Sequence, residues 1–199
     1  MNQVIQLPKP AYEGKISLEM AILKRRSLRD FKKYIMPLKE LGQLLWAAQG
    51  VSDPKRNFRT TPSAGALYPL EIYALNGDIK DLERGLYKYQ PESHTIIQHN
   101  TLDVRDELSQ AALYQAWMKN ASVVIIITAD FTRTTKWYGE RGKNYVLIEV
   151  GHVAQNIQLQ AVSFNLGTVV VGAFEDDKVI GSLDLPENEE AICILPVGA

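Results

Sequence analysis

The sequence contains one cysteine and three histidines among 199 residues, and it carries almost no net charge. The single cysteine, Cys193, excludes a disulfide within the chain, and its apolar context "AICIL" predicts a buried thiol. The histidines, His94, His99 and His152, lack acidic or cysteine partners at ligand spacing, so we predict no metal site. A formal charge of -1 offers no basic surface for nucleic acid, so we expect a small-molecule substrate or a protein partner.

Long hydrophobic runs and the usual nucleotide-binding motifs are also missing. The longest apolar run, "VVIIIT", is much too short to span a bilayer, and the N-terminal "MNQVIQLPKPAYEGK" does not resemble a signal peptide. We therefore expect a cytoplasmic protein that does not bind membranes. The absence of GxGxxG, GxxxxGK(S/T) and a Ser-His-Asp order argues against a dinucleotide-binding Rossmann fold, a P-loop and a serine hydrolase.

The hydrophobic pattern predicts a single α+β domain over residues 1–199. A hydrophobic content of 46% is enough for one substantial core, and no repeat or linker divides the chain. Residues 1–15 are expected to form an extended arm with no core of its own. Periodicity predicts helices at 18–26, 38–50, 101–120 and 144–167, with a short helix from Asp177. Apolar runs predict strands at 70–76, 121–130, 168–174 and 191–199 and a hairpin over 85–100, with a polar loop after residue 130.

The segment "KRRSLRDF" gathers three guanidinium groups and a hydroxyl within five residues, namely Arg25, Arg26, Ser27 and Arg29. The planar fork of arginine matches the geometry of phosphate, and several charge-assisted hydrogen bonds together could anchor a dianionic phosphate. The alternative is a solvated basic helix end that is favoured by the helix dipole. The spacing does not decide between these two interpretations.

Two other segments leave the backbone unscreened by large side chains. In "RTTPSAGALYPLEIY", the small residues after Pro62 would let a flat ligand approach the main chain itself. The alternative is a tight turn with Gly65 at positive φ. The segment "VVVGAF" ends a predicted strand in Gly172 and Ala173, and strand ends are where ligands often bind in α/β proteins.

The predicted central helix carries an unusual polar load for an element that faces a core. Because buried polar groups are costly unless they are paired, these side chains could belong to a site or could cap neighbouring backbone groups. For His152 the second interpretation, a satisfied core histidine, is favoured. The polar positions are Glu149, His152, Gln155, Asn156 and Gln158.

Taken in order, "RRSLRDF", "RTTPSAGALYPLEIYAL", "YGERGKNYVLIEVGHVAQNIQLQAVSFNLGTVVVGAF" and "LPVGA" resemble the nitroreductase superfamily of FMN-dependent oxidoreductases, in particular its SagB-type dehydrogenases. The similarity covers residues 17–199. It implies an α+β, nitroreductase-like fold with a mostly antiparallel central sheet flanked by helices. It also implies an intertwined homodimer with one FMN at each of two interfacial sites.

The resemblance implies that each FMN site is built from two chains. One chain binds the phosphate, and the opposite chain lays a small-residue segment against the isoalloxazine ring. A loop amide points at flavin N5, and a polar side chain contacts the flavin. The phosphate and ribityl positions match Arg25, Ser27 and Arg29, with Arg26 beside them. The ring-facing segment matches Pro62, Ser63, Ala64 and Gly65, the N5 loop matches Val171, Gly172 and Ala173, and the polar contact matches Gln115. Tyr138 and Arg141 are expected near the substrate side of the flavin. The flavin would supply the redox chemistry, so no protein nucleophile is required.

Three features depart from the pattern of the family. Ala66 stands where many members carry a polar residue after the Pro-Ser segment. Only Ala199 follows "LPVG", where relatives commonly carry a basic residue, so phosphate binding would depend on the arginine cluster. Azoline-oxidising relatives use a Lys-Tyr pair, whereas Trp137 separates Lys136 from Tyr138 in this chain.

Three functional hypotheses remain open at this point. The first is an oxidoreductase that passes hydride from NAD(P)H through FMN to a small aromatic, nitro or quinone-like acceptor, with ping-pong turnover. The second is a SagB-type enzyme that dehydrogenates azoline rings in modified peptides, with oxygen as the acceptor. The third is a non-catalytic dimer that binds flavin or has lost it.

Overall fold

The structure is a computed structural model of the chain, and it describes residues 3–199. Helices and strands alternate irregularly along the sequence. The helices are α1 (Leu18–Lys24), α2 (Leu38–Gln49), α3 (Arg105–Ala111), α4 (Thr132–Tyr138), α5 (Arg141–Ser163) and α6 (Asp176–Leu183). The strands are β1 (Val4–Gln6), β2 (Val51–Asp53), β3 (Phe58–Arg59), β4 (Leu70–Asn76), β5 (Gly85–Gln90), β6 (Thr95–Asn100), β7 (Val123–Ala129), β8 (Gly167–Thr168) and β9 (Glu190–Gly198).

Seven of these strands form an antiparallel sheet in the order β1-β6-β5-β4-β7-β9-β8, while β2 and β3 form a separate small hairpin. The interior strand β7 is buried on both faces because its side chains alternate between two cores. Ile125 and Ile127 face the core beneath α2 and α5, whereas Val124 and Ile126 face the core beneath α3 and α6. The predicted α+β fold with a mostly antiparallel sheet flanked by helices is therefore confirmed.

The longest helix, α5, follows the predicted period on its core side. Val150, Ala154, Ile157 and Ala161 are buried against the sheet and α2. Leu147, three residues before Val150, is instead half exposed. Because a helix has 3.6 residues per turn, an exposed face therefore runs along α5 opposite the core.

Local sequence features explain the limits of the first two helices and the burial of the cysteine. The Ser17 side chain caps α1 by accepting a hydrogen bond from the Met20 amide at 3.3 Å. The second helix begins after Pro37 and ends before Gly50. Cys193 lies in the core on β9, and burial raises the pKa of its thiol to about 12, as expected for a structural thiol.

Three other element predictions are wrong. The continuous helix predicted over 101–120 ends at Ala111, because Leu113 and Tyr114 adopt left-handed backbone with φ of 55° and 59°, and only a short 3₁₀ turn follows. The strand predicted over 168–174 is reduced to β8 and an isolated bridge from Val171 to Ile194. Val169 and Val171 are buried without a continuous ladder, whereas Val170 is exposed. The predicted polar loop after residue 130 contains α4, whose first turn is held by the Asp130 carboxylate, which accepts from the Thr132 amide at 3.0 Å.

The N-terminal segment is attached to this chain's own sheet. Its strand β1 pairs antiparallel with β6, and Leu7 is buried in the core beneath α2. The prediction of an arm without a core of its own therefore does not hold for this part, because an edge strand satisfies its backbone groups on the sheet. Met1 and Asn2 of the predicted arm lie outside the described residues. Among residues 3–199, no helix has the length and hydropathy needed to cross a bilayer.

A polar cluster is buried where the sheet meets the start of β9. The Glu189 carboxylate accepts hydrogen bonds from Tyr73 on β4 at 3.0 Å and Thr128 on β7 at 2.6 Å, and it pairs with Lys88 on β5 at 2.8 Å. Lys88 also lies 3.3 Å from Glu71 on β4. One buried carboxylate thus links three neighbouring strands to the entry of a fourth.

Candidate functional site

The arginine cluster follows α1 directly and is held against β8. Ser27 forms a parallel bridge with Thr168, and the Leu28 amide donates to the Thr168 carbonyl at 3.1 Å. Thr168 is followed after two residues by Val171, the start of the predicted N5 loop. Backbone pairing with Thr168 therefore holds the arginine cluster close in sequence to the start of this loop.

The guanidinium groups of the cluster differ from the others in the molecule. The arginines without a predicted role each pair with a carboxylate, namely Arg56, Arg59, Arg84, Arg105 and Arg133. Within the described range 3–199, Arg25 and Arg29 have no such carboxylate partner. Arg26 donates to the carbonyls of Leu23 at 3.0 Å and of Arg25 at 2.7 Å. For Arg26, therefore, the alternative of a solvated basic residue at a helix end fits the structure. Two guanidinium groups beside an exposed Ser27 hydroxyl fit the donor set that a phosphate requires.

The predicted N5 loop is anchored at one end and open at the other. Val171 exchanges two backbone hydrogen bonds with Ile194, of 2.8 and 2.9 Å. Gly172 is exposed, and a Cβ placed on it would meet no atom within 4 Å in the described chain. The Gln115 side-chain amide donates to the Ala173 carbonyl at 3.5 Å, so Gln115 does lie beside this loop. A cavity of about 500 Å³ borders Gly172, with Phe174 among its lining residues.

The segment from Pro62 to Gly65 forms a tight turn with Gly65 at positive φ, which is one of the two interpretations of the sequence. Gly65 has φ of 62° and Ala66 has φ of 53°, so the backbone turns sharply into β4. The Ser63 hydroxyl oxygen accepts a hydrogen bond from the Tyr68 amide at 2.9 Å and closes the turn. The turn conformation and a ligand-facing backbone are compatible, since the small side chains leave the outer surface bare.

This turn forms one wall of a cavity of about 240 Å³ against the N-terminal half of α5. The cavity is lined by Pro62, Ser63, Ala64, Tyr145, Ile148, Glu149 and His152. His152 is exposed on this wall, so the prediction of a core histidine is wrong. The side chain lies on the outer face of α5, one residue from the core position Val153.

The two predicted substrate residues also lie at this wall. The rings of Tyr138 and Tyr145 meet edge to face at 5.2 Å, and the Arg141 guanidinium lies 5.9 Å from the centre of the Tyr145 ring. A Cβ on Gly65 would lie 2.9 Å from the Tyr138 hydroxyl oxygen. Tyr138 and Arg141 are therefore close to the Pro62–Gly65 turn, at the junction of α4 and α5.

Glu149 is the functional candidate whose partners the sequence did not reveal. Its side chain is 3% exposed, and its Oε1 accepts a hydrogen bond from the Gln49 amide at 3.2 Å. Burial raises the pKa of Glu149 to about 7, against the lowering effects of Ser63, Gln49 and Arg59. The polar load of the central helix singled out Glu149, but Gln49 lies at the end of α2 and no local pattern connects the two.

The arginine cluster and the Pro62–Gly65 turn lie at different positions along α5. A cavity of about 450 Å³ is bordered by Arg26 and Ser27 together with Val162 near the C-terminal end of the helix. The Pro62–Gly65 turn faces Glu149 instead. At 1.5 Å per residue, Val162 and Glu149 are about 20 Å apart along the helix axis. Within one chain, the structure therefore does not bring the arginine cluster to the Pro62–Gly65 turn.

Comparison with known proteins gives one consistent result. The family described as "Nitroreductase family" matches residues 22–199. A Methanocaldococcus jannaschii protein named as a nitroreductase homologue, MJ1384, is 46% identical over 198 residues, which is 100% of this chain and 98% of that protein. A crystal structure from Ralstonia eutropha, also named for the nitroreductases, superposes with a TM-score of 0.86 at 28% identity, covering 98% of this chain and 88% of the other.

A more distant relative is McbC, the microcin B17-processing protein of Escherichia coli. It is 26% identical over 167 residues, which is 80% of this chain and 61% of McbC. This chain therefore spans less than two thirds of the length of McbC. The family that the sequence motifs predicted is confirmed by the family match and by the identity to MJ1384. The chain belongs to the nitroreductase family of oxidoreductases.

Proposed function

We propose that the protein is an FMN-dependent oxidoreductase that works as a homodimer, with each flavin bound between two chains. The observation that carries this proposal is the separation of two half-sites along α5. Arg26 and Ser27 of the arginine cluster border a cavity with Val162 near the C-terminal end of the helix, whereas the bare turn around Ser63 lies against its N-terminal half. A second, antiparallel copy would bring one chain's cluster next to its partner's turn.

The exposed surface between the half-sites supports such a dimer. Leu18 and Ile22 on α1 are 61% and 54% exposed, and Ile148 on α5 is 53% exposed. Gly151, one turn after Ile148, has open space where a Cβ would project within the described chain. A small residue amid exposed apolar side chains is typical of a surface on which a second helix packs closely. Because a two-fold interface is self-complementary, α5 of one chain would cross α5 of the other here.

In such a dimer, different segments of each chain would bind different parts of the flavin. Arg25, Ser27 and Arg29 would bind the phosphate, while the backbone of the Pro62–Gly65 turn would face the ring from the partner chain. Val171–Ala173 would approach the ring from the first chain. When bound, FMN supplies the hydride chemistry, and the protein supplies position and hydrogen bonds.

Gln115 would orient the loop through its hydrogen bond to the Ala173 carbonyl. That contact places a polar side chain on the loop residue next to Gly172. Gln115 would thus both hold the loop and contact the flavin ring directly.

The proposed substrates are NAD(P)H as the donor and a small aromatic, nitro or quinone-like acceptor. Tyr145 lines the cavity beside Ser63, and its ring contacts the ring of Tyr138 edge to face. A planar acceptor could stack against such rings, since offset and edge-to-face aromatic contacts are favourable. Arg141, whose guanidinium has no carboxylate partner in residues 3–199, would attract the phosphates of a nicotinamide nucleotide or an anionic acceptor.

A second candidate function, azoline dehydrogenation in a modified peptide, is favoured by the similarity to McbC. Lys136 and Tyr138 stand on the last turn of α4, with the 75%-exposed Trp137 between them. In this function electrons would enter from the peptide and leave to oxygen.

An absorbance spectrum of the purified protein, followed by anaerobic titration with NADH and NADPH, tests these functions. We expect flavin absorbance, a dimer by light scattering, and bleaching by a nicotinamide nucleotide. A protein that stays colourless after FMN is added, or that is monomeric in solution, contradicts the proposal. If flavin binds but neither NADH nor NADPH reduces it, the result favours azoline dehydrogenation. If no electron donor reduces the bound flavin, the result favours the non-catalytic flavin dimer.

A further inference from the structure

The three histidines of the chain differ in what their ring nitrogens contact. The two nitrogens of His94 lie 2.8 Å from the Tyr89 hydroxyl oxygen and 2.9 Å from the Pro8 carbonyl oxygen. The His99 Nε2 lies 2.7 Å from a backbone carbonyl oxygen. His152 is exposed, and neither of its ring nitrogens has a hydrogen-bond partner within the described part of the chain. Two histidines therefore stabilise the fold, whereas the ring of His152 is available to a ligand.

His152 belongs to a stripe of side chains on the outer face of α5. Tyr145, Ile148 and His152 follow each other at spacings of three and four residues, so they project from one side of the helix. Ile148 is 53% exposed, and all three side chains line the cavity of about 240 Å³ beside the Pro62–Gly65 turn. One wall of this cavity is therefore an aromatic ring, an aliphatic side chain and an imidazole in a row.

The facing wall of the same cavity is the bare turn. Pro62, Ser63 and Ala64 line it, and none of them carries a side chain larger than a proline ring. Ligand sites combine largely apolar walls with a few polar groups that fix the orientation of the ligand. A space between bare backbone and a mostly apolar stripe fits a flat ring, and the imidazole supplies a polar group at its side.

The other polar side chains of the stripe are already engaged. The Glu149 carboxyl group is 3% exposed and accepts a hydrogen bond from Gln49 at 3.2 Å. The Tyr145 ring packs edge to face against Tyr138 at 5.2 Å. A neutral imidazole carries one donor and one acceptor, which matches an edge that presents both carbonyl oxygens and ring nitrogens.

We propose that His152 binds the flavin whose phosphate is held by the partner chain, and that its imidazole hydrogen-bonds the polar edge of the isoalloxazine ring. This inference rests on the proposed function, in which the Pro62–Gly65 turn faces that flavin. At 1.5 Å per residue, His152 lies about 15 Å along α5 from Val162, which borders the cavity beside Ser27 of the same chain. The imidazole is therefore remote from the arginine cluster of its own chain and close to the turn.

The residue before His152 makes room for the second chain. Gly151 has no atom of the described chain within 4 Å of the position of a Cβ. A partner can therefore approach the backbone of α5 next to the imidazole without meeting a side chain.

Nuclear magnetic resonance of the histidine ring nitrogens, in purified protein freed of bound flavin and titrated with FMN at one fixed pH, tests this proposal. The chain has three histidines, so His152→Gln identifies the signals of His152. We expect FMN to shift these signals and to leave those of His94 and His99 unchanged, because the latter are bonded inside the chain. Riboflavin, which lacks the phosphate, should produce the same shift at saturation, whereas inorganic phosphate alone should produce none.

Two variants separate a hydrogen bond from packing. His152→Phe keeps a flat ring but loses both nitrogens, so its FMN affinity should fall about fivefold, the effect typical of one hydrogen bond, while light scattering still shows a dimer. His152→Gln can still donate and accept, so it should bind FMN within about twofold of the native chain. If a variant does not dimerise, the titration of the native chain decides the question by itself.

The outcomes distinguish this inference from the proposed function. FMN that binds, as measured by quenching of its fluorescence, without shifting the His152 signals would overturn the inference and leave the proposed function intact. Equal FMN affinities of the phenylalanine and glutamine variants, both dimeric, would overturn the hydrogen bond. If FMN does not bind to the native chain at all, the proposed function is wrong, and this inference is wrong with it.

Discussion

Replacement of Lys88 by methionine should destabilise the protein far more than loss of an exposed cation. The Lys88 ammonium lies 2.8 Å from Glu189, whose side chain is 3% exposed. In Lys88→Met the Glu189 carboxylate keeps the hydroxyl donors of Tyr73 and Thr128 but loses its counter-ion. Removing one partner of a buried pair costs about 3–5 kcal/mol. Because the Lys88 side chain is 24% exposed, we expect a loss at the lower end, about 3 kcal/mol.

Urea unfolding at neutral pH measures this loss, and a double-mutant cycle assigns it to the pair. Glu189→Gln keeps an oxygen acceptor for both hydroxyls, so the double variant should be more stable than Lys88→Met alone. Arg56→Met is the matched control, because Arg56 pairs with Asp53 at 2.7 Å while 69% exposed and should cost less than about 1 kcal/mol. If Lys88→Met and Arg56→Met cost the same, the idea of a buried counter-ion is wrong.

Three further predictions concern the candidate site. Arg25→Ala should weaken FMN binding by about 1.5–3 kcal/mol, ten- to a hundredfold, in a flavin titration, whereas Arg56→Ala should not change it; equal effects would remove the phosphate role. Gly65→Val should lower flavin occupancy and dimer content while far-UV circular dichroism is retained, because φ is 62° and a Cβ would lie 2.9 Å from the Tyr138 hydroxyl; full occupancy would count against a shared site. Since the folded-state pKa of Glu149 is raised from 4.5 to about 7, the free energy of unfolding should fall by about 2–3 kcal/mol as pH rises through that window; Glu149→Gln should lack this fall, and identical pH profiles of the two chains would refute the linkage.

The sequence predicted those elements whose causes are local. The unbroken β-branched run of β7 specifies a strand buried on both faces, and Pro37 and Gly50 mark the limits of α2. Local patterns gave a wrong prediction where the backbone angles do not follow from the spacing of the side chains. The left-handed pair Leu113 and Tyr114 interrupts a segment whose side chains still have helical spacing.

The sequence indicated single segments of the candidate site but not the contacts between them. The bare turn around Ser63 and the free guanidinium groups are properties of short segments, so a motif can indicate them. The contact between Gln49 and Glu149 joins α2 to α5 across 100 residues of sequence. Such a contact depends on the packing angle of two helices on the sheet, which no residue pattern in either helix specifies.

The placement of the two half-sites at different positions along α5 has a genetic consequence. A chain with a defective arginine cluster still carries a sound turn, and a chain with a defective turn still carries a sound cluster. When Arg25→Ala and Gly65→Val chains are co-expressed and assort randomly in the proposed dimer, half of the dimers are mixed, and each mixed dimer combines its two lesions in one site and leaves the other intact. About a quarter of all sites should then carry no substitution, whereas every site of either variant alone carries one.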